Sequence, residues 1–230
     1  MKRPAVNALL VGLLPILAVH AAYLVNAFAG SELEARFVCI PYTEGCVSIS
    51  RAARSGPGLY LLRVVMIPVA LLLLVCWRDV RRWLDEVGAC EARRSRIIFG
   101  LGAVGAVFMV FYVTAMGSDG EWYRWLRRYG VTVYFGGTAL AQLLLVGVLW
   151  PARRSLCDGR LAGPIVMLTG LVSLQWLLGI ASVAKRLLLD DPELMDRIEN
   201  IIEWWFGLPM SLVFVVVAVL FARSRFTGVN

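Results

Sequence analysis

Six stretches of this chain are too long and too apolar to fold as anything but membrane spans. They run over about 6–29, 59–77, 97–117, 129–150, 162–184 and 204–222. Each is close to the roughly 20 residues that cross a hydrocarbon layer about 30 Å thick. Inside lipid every backbone N–H and C=O must find its partner within the protein, so such segments fold as helices. The expected fold is therefore all-α: six transmembrane helices in one bundle, forming a single domain over 1–230. At 60% hydrophobic residues the chain exceeds the 45–50% of an average soluble domain. Its polar stretches reach only about 20–30 residues, too short to bury a core of their own. The first span resembles a signal peptide, with Lys2 and Arg3 before it and "AFA" at 27–29. Its apolar run is longer than the usual 7–15 residues of such a leader, so it reads as a retained helix.

Basic residues set the expected orientation. With the N-terminus inside, the inner segments hold 13 bases, among them Lys2, Arg3, Arg78, Arg93, Arg153 and Arg223, and only five acids. The outer segments hold nine bases and 11 acids. Both termini are thus expected in the cytoplasm. The sequence pI of about 9.5 reflects this membrane-facing bias, and nucleic-acid binding is not needed to explain it. Trp77 and Trp150 mark the expected inner ends of spans, and Trp122, Trp125, Trp204 and Trp205 the outer ends. Gly102 with Ala106, and Gly137 with Ala141, offer small surfaces for close helix approach. The segment "SDGEWYRWLRRYG" at 118–130 reads as an interfacial turn. The run "KRLLLDDPELMDR" at 185–197 reads as a short amphipathic helix capped by Asp191 with Pro192 at its first position.

Cys39 and Cys46 share the first outer loop, on the oxidising side, where a disulfide between them is expected; a packed pair of free thiols is the alternative. Cys76, Cys90 and Cys157 lie at inner ends. No C-x-x-C pair is present, which argues against a quinone-linked disulfide oxidase.

The chain has one histidine, which excludes a multi-His metal site, and no Walker loop, nucleophile elbow or H-E-x-x-H motif. No metal and no cofactor is expected. Chemistry must come from polar residues inside the spans, which are costly there and are functional candidates by default. His20, Asn26, Arg63, Tyr112, Thr114, Tyr134, Thr138, Gln175, Ser182 and Glu203 all fall in the outer half; Gln142 lies deeper. Glu203, between Ile202 and Trp204, needs a partner to offset its desolvation, and Arg63 lies at a matching depth. Glu199, one turn earlier, reads as a solvated acid. The expected site has Glu203 and His20 as a catalytic or polar centre. Arg63, Arg124, Arg127, Arg128, Gln175 and Tyr134 would contact a lipid and its headgroup.

The stretch "VSISRAARSGPGLYLLR" at 47–63 and the pair Glu203–Trp204 resemble a known family. It comprises the six-span DRAM proteins, FGF-receptor-activating protein and the post-GPI-attachment lipid-remodelling proteins. Its pattern has Ser-x-Ser, a proline and an early arginine in the second helix, matched here by Ser48, Ser50, Pro57 and Arg63. An acidic–aromatic pair opening the sixth helix is matched by Glu203 and Trp204. The chain departs from the family at Gly58 and Leu59, where paired prolines with nearby charge are usual. It also lacks a histidine near the fourth helix, where Arg127 and Arg128 stand.

The resemblance implies a six-span membrane protein that handles or remodels lipid, GPI-like or otherwise anionic, from the non-cytoplasmic leaflet. The membrane would be a bacterial inner membrane or one of the secretory pathway. A small-solute or ion transporter and a non-enzymatic scaffold are the alternatives, and the sequence leaves homo-oligomers and membrane-protein partners open. Reporter fusions test the orientation: fluorescent-protein tags at either terminus should light up, and alkaline phosphatase fused there should stay inactive. The reverse pattern would refute the inside-basic reading.

Overall fold

The structure, a computed structural model, describes residues 3–29 and 39–228; Lys2 lies outside them. Six long helices are present: α1 (Arg3–Ala29), α4 (Gly56–Glu86), α5 (Ala92–Ala115), α6 (Glu121–Ala152), α7 (Ala162–Leu188) and α8 (Pro192–Arg223). All six are long and apolar enough to cross a membrane. Between α1 and α4 lie two single turns, α2 (Pro41–Glu44) and α3 (Ile49–Ala52). The chain is an all-α, multi-pass membrane protein.

The helices exceed the apolar runs that predict them. α4 continues past Trp77 for two further turns that carry Arg78, Arg81 and Arg82. α6 starts at Glu121, so 118–130 is not an interfacial turn but mostly helix, continuous with the fourth span. The amphipathic helix expected before the sixth span is likewise fused to it as α8. Hydropathy locates only the part of a helix immersed in hydrocarbon; the backbone goes on until a cap or a turn stops it. At the start of α8 the Asp191 carboxylate accepts from the amides of Glu193, at 2.9 Å, and Leu194, at 3.3 Å, with Pro192 at the first position.

Each long helix packs on the next, and α1 packs on α8, so the six close into a ring. The α6–α7 seam is its sparsest. The core holds Leu73, Trp77, Leu84, Leu145, Leu149, Phe214 and Phe221, while Leu17, Val64, Leu71, Leu177, Ile180 and Val183 project outward. An apolar exterior is what a hydrocarbon solvent selects. Close approach at the core depends on small residues: a Cβ on Gly102 would stand 2.4 Å from the Trp77 ring. Trp77 is therefore a core residue and not a belt anchor, as is Trp204, which is 1% exposed. Trp122 and Trp125 do face outward.

Arg63 does not pair with Glu203. Its guanidinium donates to the carbonyls of Val113 at 3.4 Å, Thr114 at 3.0 Å and Met116. These oxygens belong to the last turn of α5 and its C-cap, where the helix leaves its carbonyls unpaired. The cation also favours the negative end of that helix. Arg63→Met should lower stability by about 2–3 kcal/mol, the worth of a hydrogen-bonded charge, read as a fall in Tm in detergent. In a double-mutant cycle with Glu203→Ala the two losses should add to within about 0.5 kcal/mol; stronger coupling would restore the ion pair.

Candidate functional site

The loop at 39–55 closes one end of the ring, and α8 holds it there. Arg197, Asn200 and Trp204 recur at helical spacing on one side of α8 and donate to successive loop carbonyls. Arg197 Nε reaches Glu44 at 3.2 Å, Asn200 Nδ2 reaches Gly45 at 2.8 Å, and Trp204 Nε1 reaches Val47 at 2.9 Å. Trp205 Nε1 adds a bond to Tyr42 O at 3.0 Å. Gly45, at φ +63°, leaves no room for a side chain: a Cβ would lie 2.2 Å from Arg197 O. Cys39 and Cys46 are disulfide-bonded across this loop, their Cα atoms 6.6 Å apart. Asn26 of α1 ties the far side of the loop. It donates to Ala52 O at 2.8 Å and Ser55 O at 3.0 Å, and accepts from Gly58 N at 2.9 Å.

The other side of α8 carries Glu199 and Glu203. Glu199 is not a plain solvated acid. It forms an ion pair with Lys185, whose side chain is 8% exposed, and accepts from Ser182 Oγ at 2.8 and 3.1 Å. Lys185 also donates to Met195 O at 2.9 Å, so one buried cation joins α7 to α8. Glu203 accepts from the Ser50 amide at 3.4 Å and has no ion-pair partner among the described residues.

Glu203 stands between two cavities. On one side is a small inner pocket of about 60 Å³ that it shares with His20, Tyr42, Tyr112, Tyr134 and Trp204. Here His20 Nδ1 donates to Ile16 O at 2.7 Å, which leaves Nε2 to meet the Tyr42 hydroxyl at 3.0 Å. Burial pushes the Tyr42 phenol above its ordinary value, so the hydroxyl stays protonated and donates. His20 and Tyr42 both pack against Trp204, each with ring centroids 5.4 Å away. Tyr112 and Tyr134, 8% and 7% exposed, line this pocket rather than a membrane belt.

On the other side of Glu203 is an open chamber of about 520 Å³. Arg54, Arg124, Arg127 and Arg128 line it together with Ser50, Ser182, Glu199 and Glu203. Arg127 donates to Ala115 O, at 3.1 Å, and to Ser118 O, fixing the α5–α6 turn. Arg124 pairs loosely with Glu121 at 3.6 Å. The guanidiniums of Arg54 and Arg128 have no hydrogen bond or ion pair among the described residues. With Glu199 already matched by Lys185, the chamber has an excess of positive charge. Phe135, Gly179 and Phe206 line both this chamber and an apolar groove of about 610 Å³ along the α6–α7 seam. Gln175 lies in the wall of that groove, 0% exposed and with neither amide atom hydrogen bonded.

The structure thus gathers the three expected headgroup arginines, Arg124, Arg127 and Arg128, and places Glu203 and His20 on one pocket. Tyr134 goes to the inner pocket and Gln175 to the side groove. Arg63 lines none of the three cavities. Arg54 and the Lys185–Glu199 pair are absent from the sequence reading. Arg54 sits among other arginines before α4, and nothing in its spacing separates it from them.

No family model, curated protein or solved structure matches this chain.

Asn200→Leu keeps the side-chain volume but leaves the Gly45 carbonyl without its donor, a loss of about 1–3 kcal/mol. The loop amides at 39–46 should then exchange faster by hydrogen–deuterium mass spectrometry, with α4 and α5 unchanged. Unaltered loop protection would show that the clamp on α8 is not what holds it.

Proposed function

We propose that this protein binds an anionic lipid of the non-cytoplasmic leaflet, with the headgroup in the arginine chamber and an acyl chain in the α6–α7 groove. The observation that carries the reading is that the two spaces lie side by side. A chamber lined by Arg54, Arg124, Arg127 and Arg128 shares Phe135, Gly179 and Phe206 as a common wall with an apolar groove. A charged ligand without a tail would need only the first space, and an apolar one only the second.

The chemistry fits a phosphate. Arginine presents a planar fork of donors that matches phosphate oxygens, and two of the four guanidiniums have no competing partner among the described residues. The resemblance to lipid-remodelling six-span proteins points the same way. The orientation rests on the basic residues of the opposite end, which put the disulfide-closed loop outside. Turnover is not part of this reading, since both ring nitrogens of His20 are engaged with Ile16 and Tyr42.

Arg54→Gln combined with Arg128→Gln should weaken binding of phosphatidylglycerol by about tenfold or more, the scale of losing charge-assisted bonds. Native mass spectrometry of the protein released from nanodiscs would read this. Phosphatidylcholine retention should not change. Equal retention of phosphatidylglycerol by variant and parent would overturn the proposal.

A further inference from the structure

Gln175 is the odd member of the groove. Phe135, Leu140, Ile180 and Phe206 line the groove with it, as does Trp176, the next residue along α7. Among the described residues neither Oε1 nor Nε2 of Gln175 has a hydrogen-bond partner, and Trp176 Nε1 has none either. In a bilayer an unpaired amide finds no water, so it is retained against a standing penalty. Along α7 it lies about 10 Å from Ser182, which is at the chamber. A ligand whose headgroup fills the chamber would therefore pass Gln175 with the upper part of its chain.

We infer that the lipid carries a hydroxyl on its acyl chain, near the headgroup, toward which the buried Gln175 amide turns and with which it pairs. The inference rests on the lipid reading above and narrows it to a class. Oε1 needs a donor and Nε2 needs an acceptor. The ester carbonyls of an ordinary glycerophospholipid only accept, so they could satisfy Nε2 and the Trp176 N–H but never Oε1. A secondary amide has both functions, but in its trans form they point in opposite directions, so it cannot face both atoms of one primary amide. A single hydroxyl oxygen accepts and donates at one point and can serve Nε2 and Oε1 together. The discrimination should be large, because a site built around a hydroxyl is left with buried unpaired groups when the hydroxyl is missing.

The test compares two phosphatidic acids of equal chain length, one with plain chains and one with 3-hydroxyacyl chains, offered together in nanodiscs and read by native mass spectrometry. The parent protein should retain the hydroxylated lipid at least fivefold over the plain one. Gln175→Leu, which removes the unpaired amide and should not lower Tm, should bring the ratio to about one while still binding the plain lipid. Equal retention by the parent protein overturns the inference and leaves the lipid reading standing. So does a preference that survives Gln175→Leu. Failure to retain either lipid overturns the lipid reading and this inference with it. The parent's ratio decides the matter even if the variant does not fold.

Discussion

A carbonyl left over at the end of a helix has no water to turn to inside a bilayer. Much of this molecule is arranged around that shortage. Arg63 closes the end of α5, Arg127 closes the turn that follows, and Asn26 closes the end of α3. Lys185 takes the Met195 carbonyl, and four donors from α8 take those of the loop between the cysteines and just beyond. Several polar side chains that look like chemistry in the sequence, Asn26, Arg63 and Arg127 among them, are thus structural partners of the backbone.

The two acids of α8 have different places. They share a face at a spacing that should repel. Lys185 and Ser182 neutralise and fix Glu199, so it fastens α7 to α8. Glu203 receives a single weak amide bond from Ser50 and stands where the inner pocket, with His20 and Tyr42, meets the arginine chamber. The opposite face of the same helical turns grips the loop through Arg197, Asn200 and Trp204. One short run of α8 therefore both roofs the bundle and walls its cavities.

The six spans were legible because hydropathy over about 20 residues is a strong signal, and the cap at Asp191 because its chemistry is local. His20, Tyr134 and Glu203 do share one pocket, while Gln175, midway along α7, lines the side groove. What depth cannot supply is azimuth. Arg63 and Glu203 lie at similar height, yet Arg63 faces the end of α5, and no count of residues across an intervening helix reveals that. Trp77 and Trp204 failed as interface markers for the same reason: they lie near span ends but point inward. Arg54 and Lys185 escaped notice because each was one cation among several in a polar segment.

The α6–α7 groove opens on the flank of the bundle, not on its end. A ligand arriving there never leaves the leaflet, so its supply is measured as a mole fraction of lipid and not as a molarity in water. Occupancy would then be indifferent to how far a vesicle suspension is diluted and sensitive to the ratio of protein to lipid. A roof laced to α8 and pinned by a disulfide would suit a ligand delivered from the leaflet.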